Sequence, residues 1–105
     1  MTIQQLKCAV EVWKGGSINK AAERLYMNQP NISRLIKNLE SELGLTLFSR
    51  TSSGMVATRD GELFLMQAEK LVNNTDTFEH SFKHKEENNT YIRIDLPQGS
   101  YLTNA

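Results

Sequence analysis

The chain is poor in cysteine, proline and tryptophan, with one, two and one respectively, and it has no formal net charge over its 105 residues. The single cysteine, Cys8, excludes an internal disulfide and cannot by itself build a structural zinc site, which suits a reducing compartment. No apolar run approaches the ~20 residues that a membrane-spanning helix needs, and no basic-then-apolar opening resembles a signal peptide. A cytoplasmic location is the expectation, and the Asn-x-Ser/Thr triplets at Asn31, Asn73 and Asn88 then carry no meaning as glycosylation sites. No Gly-rich phosphate loop is present, nor any grouping of nucleophile, base and orienting side chain, so neither an enzyme nor a cofactor is expected.

What is there is an ordinary globular composition, 39% hydrophobic and 23% charged. The length allows one domain and a short appendage, with a modest core that a partner chain can complete. Zero net charge argues against a polyanionic partner only if charge is evenly spread, and it is not. Residues 1–54 carry seven Lys/Arg against four acids, whereas residues 55–90 carry four against seven. The first half is therefore the basic one, and a local patch is what attracts phosphate.

Local signals divide the chain into elements. Thr2 can cap a first helix with Gln5 as reciprocal partner, and Ile3, Leu6, Ala9, Val10 and Trp13 share one stripe. Cys8 and Val12 fall on the other side and predict a second, smaller apolar contact. Gly15-Gly16 ends this helix, and Ser17 caps a second with Ile18, Ala21, Ala22 and Leu25 facing inward. The break at Tyr26 to Asn28 is so short that the next helix must leave at a sharp angle. That next helix begins with Asn28 as N-cap, Pro30 in the first turn and Met27 placed to staple onto Ile32. Its arc of Ile32, Ile36, Leu39 and Leu43, with Leu35 at the edge, predicts the buried face. Pro30, Ser33, Arg34, Lys37, Asn38 and Ser41 point away, and Gly44 stops the helix.

The segments "LTLFSR" and "GMVAT", joined through Thr51-Ser52-Ser53-Gly54, read as a small hairpin. Thr58 then caps a long helix to about Lys85, in which Phe64, Ala68, Leu71, Thr75, Phe78 and Phe82 recur in steps of four and three. Such a heptad seam predicts a dimer interface with a symmetry mate. "LFLM" at Leu63 to Met66, apolar all round, fits a helix root held between its own domain and a partner. Lys85 to Thr90 reads as a linker. "YIRIDL" alternates like a strand before Pro97-Gln98-Gly99-Ser100 breaks it, and a lone strand cannot stand by itself. The expected division is 1–58 for a winged helix-turn-helix, 59–87 for the long helix, and 88–105 for a linker and the first strand of a further domain.

Helix, tight turn, helix and hairpin make a mainly α, winged helix-turn-helix pattern, in which the second helix of the pair enters the DNA major groove N-terminus first. Gln29 and Asn31 stand at that N-terminus, where amides can read adenine. Ser33 can reach base or phosphate, Arg34 guanine or phosphate, and Lys37 and Asn38 are placed for backbone.

Residues Gly16 to Gly61 also resemble the N-terminal DNA-binding domain of the LysR-type transcriptional regulators. The resemblance rests on Ala21-Ala22, Leu25, Gln29-Pro30, Ser33, Ile36, Leu39-Glu40, Leu43-Gly44, Leu47-Phe48, Arg50, Thr58 and Gly61, and extends through the long helix to about residue 96. It implies sequence-specific binding of double-stranded DNA as a homodimer through paired linker helices, with tetramers in full-length members. It also implies a small-molecule effector domain that this chain does not contain, of which "YIRIDLPQGSYL" resembles the opening; a strand that stops so early favours an isolated or truncated domain over a finished fold. Gln29, Pro30, Ser33 and Arg34 match the groove-contacting positions of the family, and Arg50 and Thr51 match the wing base, where phosphate contacts are expected. With Asn31, Lys37, Asn38 and Ser53 these form the expected DNA-binding set. Two departures stand out: Ser53 replaces a wing arginine and Leu35 replaces a polar residue. The missing wing cation implies a shallower salt dependence of binding.

His80 and His84 lie four apart with Glu79 and Glu87 nearby, but two imidazoles without further ligands do not make a metal site, and none is expected. A competing reading from another class is a protein-interaction module that forms mixed dimers with a full-length regulator.

Overall fold

The computed structural model describes residues 1–83, which form α1 (Ile3–Gly15), α2 (Ile18–Leu25), α3 (Gln29–Leu43), β1 (Phe48–Thr51), β2 (Gly54–Ala57) and α4 (Arg59–Lys83). His84, the expected linker at 85–90 and the expected strand at 91–96 lie outside the described residues. The fold is a winged helix-turn-helix, mainly helical with one small sheet. The chain divides into two compact units, Met1–Val72 and a second that begins at Asn73.

In the first unit the helix ends are closed as their sequences require. Thr2 and Gln5 form the reciprocal capping box, the Gln5 carboxamide accepting from the Thr2 N–H at 2.8 Å. That pairing explains why Gln5 can be buried, since its polar oxygen is satisfied. Gly16 and Gly44 end α1 and α3 in the left-handed conformation, with φ of 73° and 68°. Between α2 and α3 the same conformation falls on Tyr26, at φ 56°, a position that ordinarily favours glycine or asparagine. Its side chain is 96% exposed, and its backbone N–H closes α2 by donating to the Ala22 carbonyl.

The core is built around α1, against which α2, α3 and β2 pack. This agrees with the expectation of a main stripe and a second apolar contact at Cys8 and Val12. Leu6, Ala9 and Val10 are buried, but so are Cys8 and Val12, both 0% exposed, while Ile3 is 37% exposed and Trp13 is half-buried. A helix covered on several sides buries more than one stripe. Met27 contributes to this cover, its sulfur facing Gln4 and the Cys8 thiol of α1, the latter at 3.9 Å. On α3 the expected arc holds, with Ile32, Ile36 and Leu39 buried and Leu35 and Leu43 packed at its margin.

The hairpin is tighter than the sequence implied. Leu45 to Leu47 are not strand, Leu47 is wholly buried, and the antiparallel register runs from Phe48 opposite Ala57 to Thr51 opposite Gly54, leaving only Ser52-Ser53 as the loop. Two anchors fix it. Glu40 of α3 accepts the Leu47 and Phe48 N–H groups at 2.7 and 3.3 Å, and Gly16 accepts the Met55 N–H at 3.1 Å. Thr58 joins hairpin to α4: its N–H donates to the Leu47 carbonyl at 2.9 Å, and its hydroxyl oxygen caps the helix by accepting from Gly61 at 2.9 Å.

Within the first unit, Gly61, Leu65, Ala68 and Val72 of α4 are buried. Ala68 was expected on a dimer seam, but it is 3% exposed in the chain's own core, and Phe64 is half-buried against the same core. A seam running in steps of four and three crosses the intrachain stripe at this point, because both recur at nearly the helical period. In the second unit, Phe78 and Phe82 are 57% and 51% exposed, with ring centroids 4.9 Å apart.

Candidate nucleic-acid interface

The N-terminal half of α3, the start of α2 and the hairpin enclose an open groove of about 490 Å³. Gln29, Pro30 and Ser33 form one wall, Arg50, Thr51, Ser52, Gly54 and Met55 the other, and Ser17, Ile18 and Asn19 close its end. Five of the residues expected from sequence to contact DNA are thus brought to one place: Gln29, Pro30, Ser33, Arg50 and Thr51. A second recess of about 240 Å³ places Lys37 beside Ser33 and Arg50. Asn31, Arg34 and Asn38 lie on the other flank of α3, Arg34 being about 100° round the helix from Ser33. Ser53 is at the hairpin tip rather than in the groove wall.

Ser17, Asn19 and Ser52 were not anticipated as lining residues. Ser17 reads in sequence only as a cap, which it is, accepting from the Lys20 N–H at 3.0 Å. That the start of α2 faces the hairpin follows from the Gly16–Met55 hydrogen bond, which no local pattern announces.

Hydrogen bonds inside the site decide which polar groups remain available. The Thr51 hydroxyl donates to the Gly54 carbonyl at 3.0 Å and accepts from the Ser53 N–H at 3.2 Å. In this arrangement its proton closes the turn. Asn31 accepts from the Arg34 guanidinium at 2.8 Å. Its carboxamide oxygen is therefore engaged within the helix.

The charge gradient is also sharpened. Lys14 is paired with Glu69 at 2.7 Å and Arg24 with Glu11 at 2.8 Å. The hydrogen bond and charge of Glu69 raise the Lys14 pKa above its ordinary value. Among the described residues Lys20, Arg34, Lys37 and Arg50 make no ion pair. These four cations stand on or beside the groove-forming elements, while Lys14 of α1 and Arg24 of α2 are neutralised by neighbours. The groove thus offers cations together with an edge-reading amide, a chemistry that suits a polyanion. Among the described residues no group of metal-ligating side chains occurs, and no helix is long and apolar enough to cross a membrane.

Comparison with known proteins agrees with this geometry. Residues 3–62 match the family of bacterial regulatory helix-turn-helix proteins of the lysR type. The chain is 34% identical to YcgK of Bacillus subtilis, an uncharacterized HTH-type transcriptional regulator, over 97% of this chain and 32% of that one. It is 41% identical over 76 residues to BenM of Acinetobacter baylyi, an HTH-type transcriptional regulator, covering 72% of this chain and 25% of that one. The BenM DNA-binding domain in complex with catB site 1 DNA superposes with a TM-score of 0.75 at 34% identity, covering 89% of this chain and 100% of that one. The chain spans a third or less of the length of these curated regulators, and they are transcription factors rather than enzymes. Fold, site and sequence together place this chain in the lysR family of bacterial helix-turn-helix regulators.

Proposed function

We propose that this chain binds double-stranded DNA sequence-specifically, as a homodimer, in the regulation of bacterial transcription in the cytoplasm. The observation that carries the reading is the convergence of Gln29, Pro30 and Ser33 on α3 with Arg50 on the hairpin around one open groove, with Lys37 beside it. Gln29 has both halves of its amide for an adenine edge, Ser33 adds a hydroxyl, and Lys37, Arg50 and Lys20 hold phosphate. Functionally the chain divides into a DNA-binding module at 1–58 and a dimerising segment at 59–87.

The dimer reading rests on the exposed side of α4, where Leu71, Phe78 and Phe82 are at least half exposed and fall on one arc with Phe64 and Thr75. Without Ala68, the partner-facing set is Phe64, Leu71, Thr75, Phe78 and Phe82. Large apolar side chains repeated along one helix arc are costly to leave in water.

Fluorescence anisotropy on random and site-containing duplexes across a salt series tests DNA binding. A sequence-selective, salt-dependent signal is expected, and equal affinity for every duplex would reject the specific reading.

A further inference from the structure

We infer that Asn31 is a positioning residue for Arg34, and that the pair makes the far flank of α3 a guanine reader rather than an adenine reader. This rests on the DNA-binding reading above. Asn31 and Arg34 are one helical turn apart, and the Arg34 Nη1 donates to the Asn31 carboxamide oxygen at 2.8 Å. Among the described residues no carboxylate pairs with Arg34, so this neutral acceptor is what orients it while leaving its charge uncompensated.

Two consequences follow from the donor and acceptor inventory. Bidentate adenine recognition by an asparagine needs its oxygen to accept from N6 while its NH2 donates to N7. With one lone pair of that oxygen taken and its direction set by Arg34, Asn31 is turned from the bidentate geometry that an adenine needs. Arg34 spends one of five N–H donors on Asn31 and keeps enough for the O6 and N7 of a guanine, which only acceptors present. A long side chain already held in one direction also loses less rotamer freedom on binding. Asn31 is well placed to be such a support, because its own backbone N–H is tied to the Asn28 cap at 2.9 Å.

The test begins with selection of a binding site from randomised duplex DNA by the wild-type chain, followed by affinity measurements for Asn31→Ala, Arg34→Ala and the double variant on that site and on each base replacement. Asn31→Ala is expected to lower affinity for the selected site by about three- to tenfold and to flatten the preference for one guanine, the same guanine that Arg34→Ala makes indifferent. In the Arg34→Ala background the Asn31 substitution should then have almost no effect. Asn31→Asp, which keeps an acceptor at the same place, should retain the guanine preference. The same fold loss with and without Arg34, or a separate adenine preference lost only with Asn31, would overturn the inference. Failure of the wild-type chain to select any site would instead reject the specific DNA-binding reading itself. Circular dichroism guards against misfolding, which alanine at this helical position does not favour.

Discussion

Gly61 shows how single residues hold the site. A Cβ added there would lie 2.1 Å from the Leu47 carbonyl oxygen, a backbone atom that Thr58 also engages. Neither side can yield cheaply, so Gly61→Ala is expected to destabilise the chain by about 1–3 kcal/mol or more, read as a lower urea midpoint. Gly54 is comparable: at φ 122°, its added Cβ would meet the Gly16 oxygen at 2.6 Å. Gln29 differs, being exposed on the groove wall without a packing role. Gln29→Ala should leave the urea midpoint unchanged and cost on the order of 1–3 kcal/mol on a cognate site, with little loss on random DNA. An equal loss on both would remove it from base reading. Cys8 completes the scale. Burial raises its thiol pKa, which keeps the neutral form and suppresses nucleophilic attack. Since the folded pKa is the higher one, any stability tied to this group is present below the unfolded value and is lost as pH rises through the folded one. Labelling by a thiol reagent near neutral pH should be slow in the native chain and fast in denaturant.

At the scale of elements, the recognition helix and the hairpin are one device because Glu40 joins them. Its carboxylate accepts two N–H groups at the entrance to β1, so the strand that carries Arg50 is referenced to the helix that carries Ser33 and Lys37. Glu40→Ala leaves those N–H groups without their acceptor and is expected to cost about 1–3 kcal/mol of stability. It should also make Arg50→Ala nearly silent in DNA affinity, measured as a double-mutant cycle. Full additivity of the two would mean that the hairpin holds its place without Glu40. Much of this level was legible in sequence. Caps at Thr2, Ser17, Asn28 and Thr58, stops at Gly16 and Gly44, and the Ile32–Ile36–Leu39 arc are local events in which neighbours within four residues supply the partners. The groove-lining role of Ser17 and Asn19 and the closure of the Thr51 hydroxyl onto Gly54 were not legible, because each depends on a second element or on a turn geometry that composition does not specify.

For the whole molecule the decisive quantities are charge and assembly. With Lys20, Arg34, Lys37 and Arg50 as the unpaired cations of the site, and about 0.9 per neutralised phosphate, a dimer is expected to show a log–log salt slope on the order of −4 to −7. A slope near zero would remove the phosphate contacts from the account. Phe78→Asp places a charge in the exposed α4 arc and should shift sedimentation from dimer to monomer at micromolar concentration. A wild-type chain that sediments as a monomer, unchanged by the substitution, would remove the homodimer.

The sequence by itself determined the elements, their order and the winged helix-turn-helix class, since these rest on periodicity and on caps that act over one or two turns. It also placed Gln29, Pro30 and Ser33 on the outer side of α3, because a fixed rotation per residue relates them to the buried Ile32 and Ile36. The tertiary structure alone decided that Ser17 and Asn19 face the hairpin across the groove, and which cations are neutralised by carboxylates, Lys14 by Glu69 and Arg24 by Glu11. It alone assigned Ala68 to the core. Hydrogen bonds and ion pairs depend on separations of a few ångströms, and across elements such separations are set by packing that no local pattern encodes.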